Sequence, residues 1–240
     1  MTAYVGTSGF SYPKWKGRFY PAKLPAKQML GFYAGRFRAV EINSSFYKLP
    51  TAAALEEWAA QVPADFRFAL KAPQRITHIK RLTDAAELVA EFLEVAAALK
   101  ERLGPLLFQL PPNFKKDAPR LRAFLSLLPP GCRAAFEFRH ASWFDDEVFG
   151  LLRAHGASLC IADETDDLPV PVVATADWGY LRLRRPDYDD AALAAWAERM
   201  TAQPWGDAFV FFKHEDTGAG PRFAARLLEL MEPALGERPA

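Results

Sequence analysis

The sequence predicts a single (β/α)8 TIM barrel over residues 1–240, and three observations carry that prediction. Short apolar runs alternate with longer amphipathic ones eight times, no linker or composition break divides the chain, and the polar residues of the runs gather at their carboxyl ends. Repeated strand–helix alternation at this length favours closure into a barrel over an open doubly wound sheet, the lesser alternative.

The strand candidates are Tyr4–Thr7, Ala39–Asn43, Arg67–Lys71, Leu106–Leu110, Ala134–Arg139, Ser158–Asp163, Gly179–Arg184 and Ala208–Lys213. Most are rich in Val, Ile, Leu or Phe, as strands buried on both faces require. Between them, apolar residues recur at three- and four-residue spacing in Gln28–Phe37, Ala52–Ala60, Asp84–Arg102, Ala118–Leu128, Asp145–Ala154, Asp190–Met200 and Pro221–Met231, which predicts amphipathic helices. Thr83-Asp84 reads as the start of the longest helix and Gly104-Pro105 as its stop, while Pro221 suits the first turn of the last. The sixth crossover, Glu164–Asp177, holds three Val and two Pro with no helical period, so no regular helix is expected there.

Composition bounds the function. Half the residues are hydrophobic and a quarter charged, ordinary for a globular chain able to build its own core. Cys132 and Cys160 form no C-x-x-C pair, which argues against a disulfide framework or a cysteine-ligated zinc. The segment MTAYVGTSGF lacks the pattern of a signal peptide and no apolar run has the length of a membrane span, so a cytoplasmic protein without membrane partners is expected. Net charge is +1, yet seven cations (Lys14, Lys16, Arg18, Lys23, Lys27, Arg36 and Arg38) precede Glu41, the first acidic residue.

Strand parity locates the chemistry. Glu41 and Asn43 share one face of the second run, opposite Val40 and Ile42; Glu137 and Arg139 oppose Phe136 and Phe138; Lys213 opposes Phe212. With Lys71, Gln109, Asp163, Arg182 and Arg184 they would ring the barrel mouth, where cations exceed carboxylates and a small anionic ligand, most simply a phosphate, would restore balance. Glu41 and Glu137 are acid–base candidates, and Lys71 is a candidate base or Schiff-base amine if burial and cations depress its pKa. Ser8, Tyr12, Trp15, Asn43, Tyr47, Gln109, Arg139, Asp163, Arg182 and Lys213 are candidates for substrate contact. The competing reading of the strand-end charges is a structural ring of ion pairs.

The loop after the first run interleaves Phe10, Tyr12, Trp15, Phe19 and Tyr20 with lysines, which supports a second possibility: nucleic-acid binding without catalysis through Phe10–Lys27. The four histidines show no metal-ligand spacing and no cofactor is predicted, though Mg²⁺ on Glu41, Glu137 or Asp163 stays open. No Walker loop or G-x-G-x-x-G follows a strand, and neither Ser8 nor Ser142 sits in a nucleophile elbow.

Five blocks, GTSGFSYPKWKGRFYP, VEINSSFYKLP, FALKAPQRITH, LLFQLPPNF and FEFRHASWF, occur in order between residues 4 and 163. Together they resemble the DUF72, or YecE-like, family. The resemblance implies a TIM barrel of uncharacterised biochemical function, with nucleic-acid contact suggested by similarity to metal-dependent barrel endonucleases. It carries over no established catalytic residue. The family pattern falls on Gly6, Ser8, Gly9, Tyr12, Trp15, Glu41, Asn43, Phe46, Tyr47, Lys71, Thr77, His78, Gln109, Glu137, Arg139 and Trp143. The chain departs from it late. Arg182-Leu183-Arg184-Arg185 stands where Arg-x-His-Gly is usual, and Lys213-His214-Glu215-Asp216 where paired asparagines precede Asp.

Overall fold

The computed structural model describes residues 1–214 and 218–235, so Glu215 and Asp216 lie outside the described residues. Eight parallel strands close into a barrel in sequence order: β1 (Thr2–Ser8), β2 (Ala39–Ile42), β3 (Arg67–Lys71), β4 (Leu103–Gln109), β5 (Ala134–Glu137), β6 (Ser158–Asp163), β7 (Trp178–Leu183) and β8 (Asp207–Phe212). Closure comes from β8 pairing with β1, Thr2 to Thr7 lying against Asp207 to Phe212. The helices are α1 (Met29–Ala34), α2 (Ala52–Ala60), α3 (Ala86–Ala96), α4 (Ala118–Leu125), α5 (Asp146–Ala154), α6 (Asp190–Thr201) and α7 (Ala219–Leu235). No helix separates β6 from β7, as the proline-broken valine run predicts. Among the described residues, no helix is long and apolar enough to cross a membrane.

Local chemistry sets the helix starts. Thr51, Asp117, Asp145 and Asp189 each accept a backbone N–H three residues ahead, opening α2, α4, α5 and α6. The expected signals around α3 work differently. Ala85 precedes it with no side-chain cap, Asp84 takes a left-handed φ of 46°, and the helix runs on into 3-10 turns between Ala97 and Arg102 that are broken at Lys100, φ 51°. Gly104-Pro105 lies inside β4 rather than after a helix. The β3–β4 ladder shifts register between Phe68 and Leu70, and there a proline costs no ladder hydrogen bond. The longest helix is α7, with 17 residues.

Alternation along the strands makes two cores. Outward residues such as Val40, Ile42, Phe68, Leu70, Phe108 and Phe136 pack beneath the helices. Inward residues fill the barrel, where Ala39, Ala69 and Ala135 leave room for Trp178, Tyr180, Phe209 and Phe211. Two residues further along the same inward rows come Glu41, Lys71, Glu137 and Arg182. The apolar plug therefore ends where the charged layer begins.

The β1–β2 seam is unusually close. A Cβ on Gly6 would stand 1.9 Å from the Ala39 carbonyl oxygen. Tyr33 of α1 clamps the same spot, accepting the Thr7 N–H at 2.8 Å and donating to Ala39 O at 2.9 Å. Gly6→Ala is expected to cost about 3 kcal/mol or more through overpacking against rigid backbone. Gly150→Ala, whose new methyl meets nothing within 4 Å, should stabilise α5 by about 0.5–1 kcal/mol. Urea midpoints of the two variants check the pair, and an unchanged Gly6→Ala midpoint would refute the close-contact argument.

Candidate functional site

Arg182, at the inward end of β7, is the centre of the charged layer. Its guanidinium donates to Glu41 Oε1 through Nε (3.2 Å) and Nη2 (2.9 Å), and to Glu137 Oε2 through Nη1 (2.5 Å). All three side chains are buried, at 2% exposure or less. Glu41 also accepts from Ser8 Oγ and the Tyr180 hydroxyl, each at 2.6 Å. Glu137 accepts from Gln109 Nε2 at 2.7 Å and Arg139 Nε at 2.8 Å.

Burial alone would raise both glutamate pKa values, but it is outweighed. The charge of Arg182 with hydrogen bonds from Ser8 and Tyr180 holds Glu41 below the usual carboxylate range, and Arg182, Arg139 and Arg184 do the same for Glu137. Tyr180 moves the other way: burial and the Glu41 charge push its hydroxyl well above the ordinary value, so it remains a donor.

Lys71 hangs from the same frame by a neutral link. Ionised Glu137 can only accept, so the Gln109 amide turns its NH2 to Glu137 and its oxygen to Lys71 Nζ, 2.7 Å away. The ammonium also lies 4.1 Å from the centre of the Phe46 ring. Burial, then the positive charge of Arg182, lowers the Lys71 pKa to about 8 against the opposing pull of Glu137 and Glu41. His78 meets the same Phe46 ring edge-on at 4.9 Å, and its pKa too is lowered by burial and by Lys71.

Around this layer the predicted residues divide. Asn43 Oδ1 accepts weakly from Arg182 at 3.3 Å, while its Nδ2 is buried with no protein partner. Arg139 and Arg184 share Glu164 at the rim, at 3.2 and 2.8 Å. Tyr47 stands 77% exposed beside Phe46. Tyr12 braces the Ser8 carbonyl at 2.7 Å.

Two expected placements need correction. Asp163 follows the outward parity of Leu159 and Ile161, and it meets Arg185, Tyr188 and Trp196 of α6 instead of the mouth. Trp15 is 1% exposed, packed against Tyr12, Phe19 and Tyr20 within its own loop. Lys213 lies half-buried just beyond β8, one residue past the outward-facing Phe212. In the sequence Phe46 and His78 stand out only as family-pattern positions, and Tyr180 and Glu164 not at all. Tyr180 was reachable, being two residues before Arg182 on the inward row.

The layer therefore brings Lys71, Arg139, Arg182 and Arg184 against Glu41, Glu137 and Glu164, which leaves cations in excess. Beside Arg139, a recess of about 120 Å³ is bordered by Glu137, Glu164, Leu168 and Val170. The donor set does not suit Mg²⁺. Each glutamate faces arginine and other hydrogen-bond donors, Asp163 points away, and no cluster of three potential ligands forms among the described residues.

Comparison with known proteins adds the following. The family described as "Protein of unknown function DUF72" matches residues 4–239. UPF0759 protein YecE of Escherichia coli (strain K12) is 35% identical over 142 residues, 59% of this chain and 50% of that protein, so the match spans half that relative's length. UPF0759 protein YunF of Bacillus subtilis (strain 168) is 25% identical over 269 residues, covering 95% of this chain and 94% of that one. The crystal structure of a DUF72 family protein from Thermotoga maritima MSB8 superposes with a TM-score of 0.87 at 29% identity, over 96% of this chain and 99% of that one. A DUF72 family protein from Enterococcus faecalis V583, at 20% identity, gives 0.80 over 96% and 95%, a likeness of fold.

Arg182→Met leaves two buried carboxylates facing each other, and a loss of about 3–5 kcal/mol is expected at pH 7. Because the folded pKa values of Glu41 and Glu137 are depressed, their stabilisation is present above the unfolded value of about 4.3 and lost as pH falls below it. The gap between wild type and variant should therefore narrow in urea titrations at pH 4 relative to pH 7. A gap that stays constant or widens would contradict the ionised pair.

Proposed function

We propose that this chain, which belongs to the DUF72 family of proteins of unknown function, is an enzyme that takes a small phosphate- or carboxylate-bearing substrate at the barrel mouth and moves a proton there with Lys71. The observation that carries this reading is the contrast between Lys71 and its neighbours. Glu41 and Glu137 are held ionised by arginine, whereas the Lys71 ammonium is hydrogen-bonded to a neutral amide and titrates near 8. At pH 7 about a tenth of such a lysine is free amine, and the rest can donate. Carboxylates kept as anions by a buried guanidinium are poor proton donors at that pH, so we assign them to electrostatic framework.

The excess cations supply the anion site. Arg139 borders the recess and Arg184 sits beside it through Glu164, and both present planar donors suited to a phosphate or carboxylate.

Nucleic-acid binding by the loop after β1 is less well supported. Lys14, Lys16 and Arg18 are exposed there, but Trp15, Phe19 and Tyr20 are engaged with one another and with Phe32, which removes the faces on which bases would stack.

Calorimetric titration with inorganic phosphate and with citrate in low salt tests the proposal. Micromolar to millimolar binding is expected, weakened about ten-fold (about 1.4 kcal/mol) by Arg139→Gln or Arg184→Gln. Reversing the charges of Lys14, Lys16 and Arg18 should leave it unchanged. Absence of binding by both anions, or loss only in the loop variant, would remove the reading.

A further inference from the structure

We propose that Lys71 is a carbonyl-binding amine, whose Nζ condenses with the aldehyde or keto group of a small anionic substrate to form an iminium. The inference rests on the reading that the mouth accepts an anion, and it names the substrate class as oxo acids or phosphorylated carbonyl compounds.

The geometry that points this way is specific to Lys71. Its Nζ is tethered at 2.7 Å to an amide oxygen whose orientation is dictated by Glu137, so the amine is held in place without a carboxylate partner to trap it as ammonium. The nearby acids are already engaged: Glu41 by Ser8, Tyr180 and Arg182, and Glu137 by Gln109, Arg139 and Arg182. Phe46 supplies a dry face at 4.1 Å, and the edges of His78 and the exposed Tyr47 meet that same ring at 4.9 and 5.0 Å. The amine is thus desolvated yet only one ring away from the open rim. Burial and Arg182 bring its pKa to about 8, which makes neutral nucleophile available near neutral pH.

The step balances without any further reagent. The Nζ lone pair attacks the carbonyl carbon, the C=O π pair moves to oxygen, and one proton passes from nitrogen to that oxygen to give the carbinolamine. The hydroxyl then takes a second proton and leaves as water, while the nitrogen lone pair forms C=N⁺. His78, whose pKa is lowered by burial, is the neighbouring group able to carry those protons. The iminium bears the same charge as the ammonium it replaces, so the field of Glu41 and Glu137 that supports one supports the other.

Reductive trapping tests this on the full chain. Wild-type protein is incubated at pH 8 with glyoxylate and sodium cyanoborohydride, and labelled lysines are located by peptide mass mapping. Lys71 should be modified about ten-fold faster or more than the exposed Lys115, because about half of the Lys71 amine is neutral at that pH. Inorganic phosphate should slow Lys71 alone. Urea-unfolded wild type should lose the difference, a control that needs no variant to fold. Lys71→Arg should abolish the fast adduct and leave the remainder unchanged. Labelling of Lys71 no faster than Lys115 overturns the assignment. If phosphate binds calorimetrically while Lys71 stays slow, the anion reading survives and the covalent step fails. If Lys71 is fast but phosphate neither binds nor protects, the amine assignment stands and the anion reading falls.

Discussion

A single guanidinium placed between two carboxylates organises the upper half of this barrel. Arg182 reaches from β7 to Glu41 on β2 and Glu137 on β5, and so spans the barrel interior with hydrogen bonds. Burying three charges costs several kcal/mol for each, and the arrangement holds because almost every lone pair and N–H involved has a partner. Ser8 and Tyr180 complete Glu41; Gln109 and Arg139 complete Glu137. Net stability from such a cluster is modest, and its larger effect is to fix positions. Strand ends far apart in sequence are locked to one centre, and the orientations of Gln109 and then Lys71 follow from it.

Much of this was legible from alternation. Residues two apart on a strand share a face, which sets Glu41 with Asn43 and Glu137 with Arg139, and the gathering of polar residues at strand ends adds Lys71, Gln109 and Arg182. Applied as strictly to β6 the face rule would also have sent Asp163 outward with Leu159 and Ile161, and on β7 it would have brought in Tyr180. The loops resisted because periodicity says nothing of them. Five aromatic residues in the first loop could equally pack together or face a ligand; Trp15, Phe19 and Tyr20 form a miniature core under α1. The ends of α3 resisted for a related reason, since Gly104-Pro105 has the composition of a helix stop and serves instead at an irregular point in a strand.

The two readings of the strand-end charges, ion-pair ring or ligand site, divide by depth. The lower members, Glu41, Glu137 and Arg182, complete one another inside the protein. Around them, Lys71 meets the neutral Gln109 amide, while Arg139 and Arg184, two residues further along their strands, reach from buried Glu137 up to the half-exposed Glu164. A rigid anionic floor beneath a cationic rim is what a site needs if its reacting groups are to stay in place while water and small molecules exchange above.

The helix-free passage from β6 to β7 bears on divergence among relatives. It supplies Leu168 and Val170 to the wall of the recess beside Arg139, while Thr175 ties its far end to β6 through Ala157 and Leu159. A wall made of extended chain has no helical repeat to preserve, so insertions and side-chain swaps there leave the barrel ladder and the charged floor intact. Size and shape of the recess can therefore change without disturbing the charged floor below it.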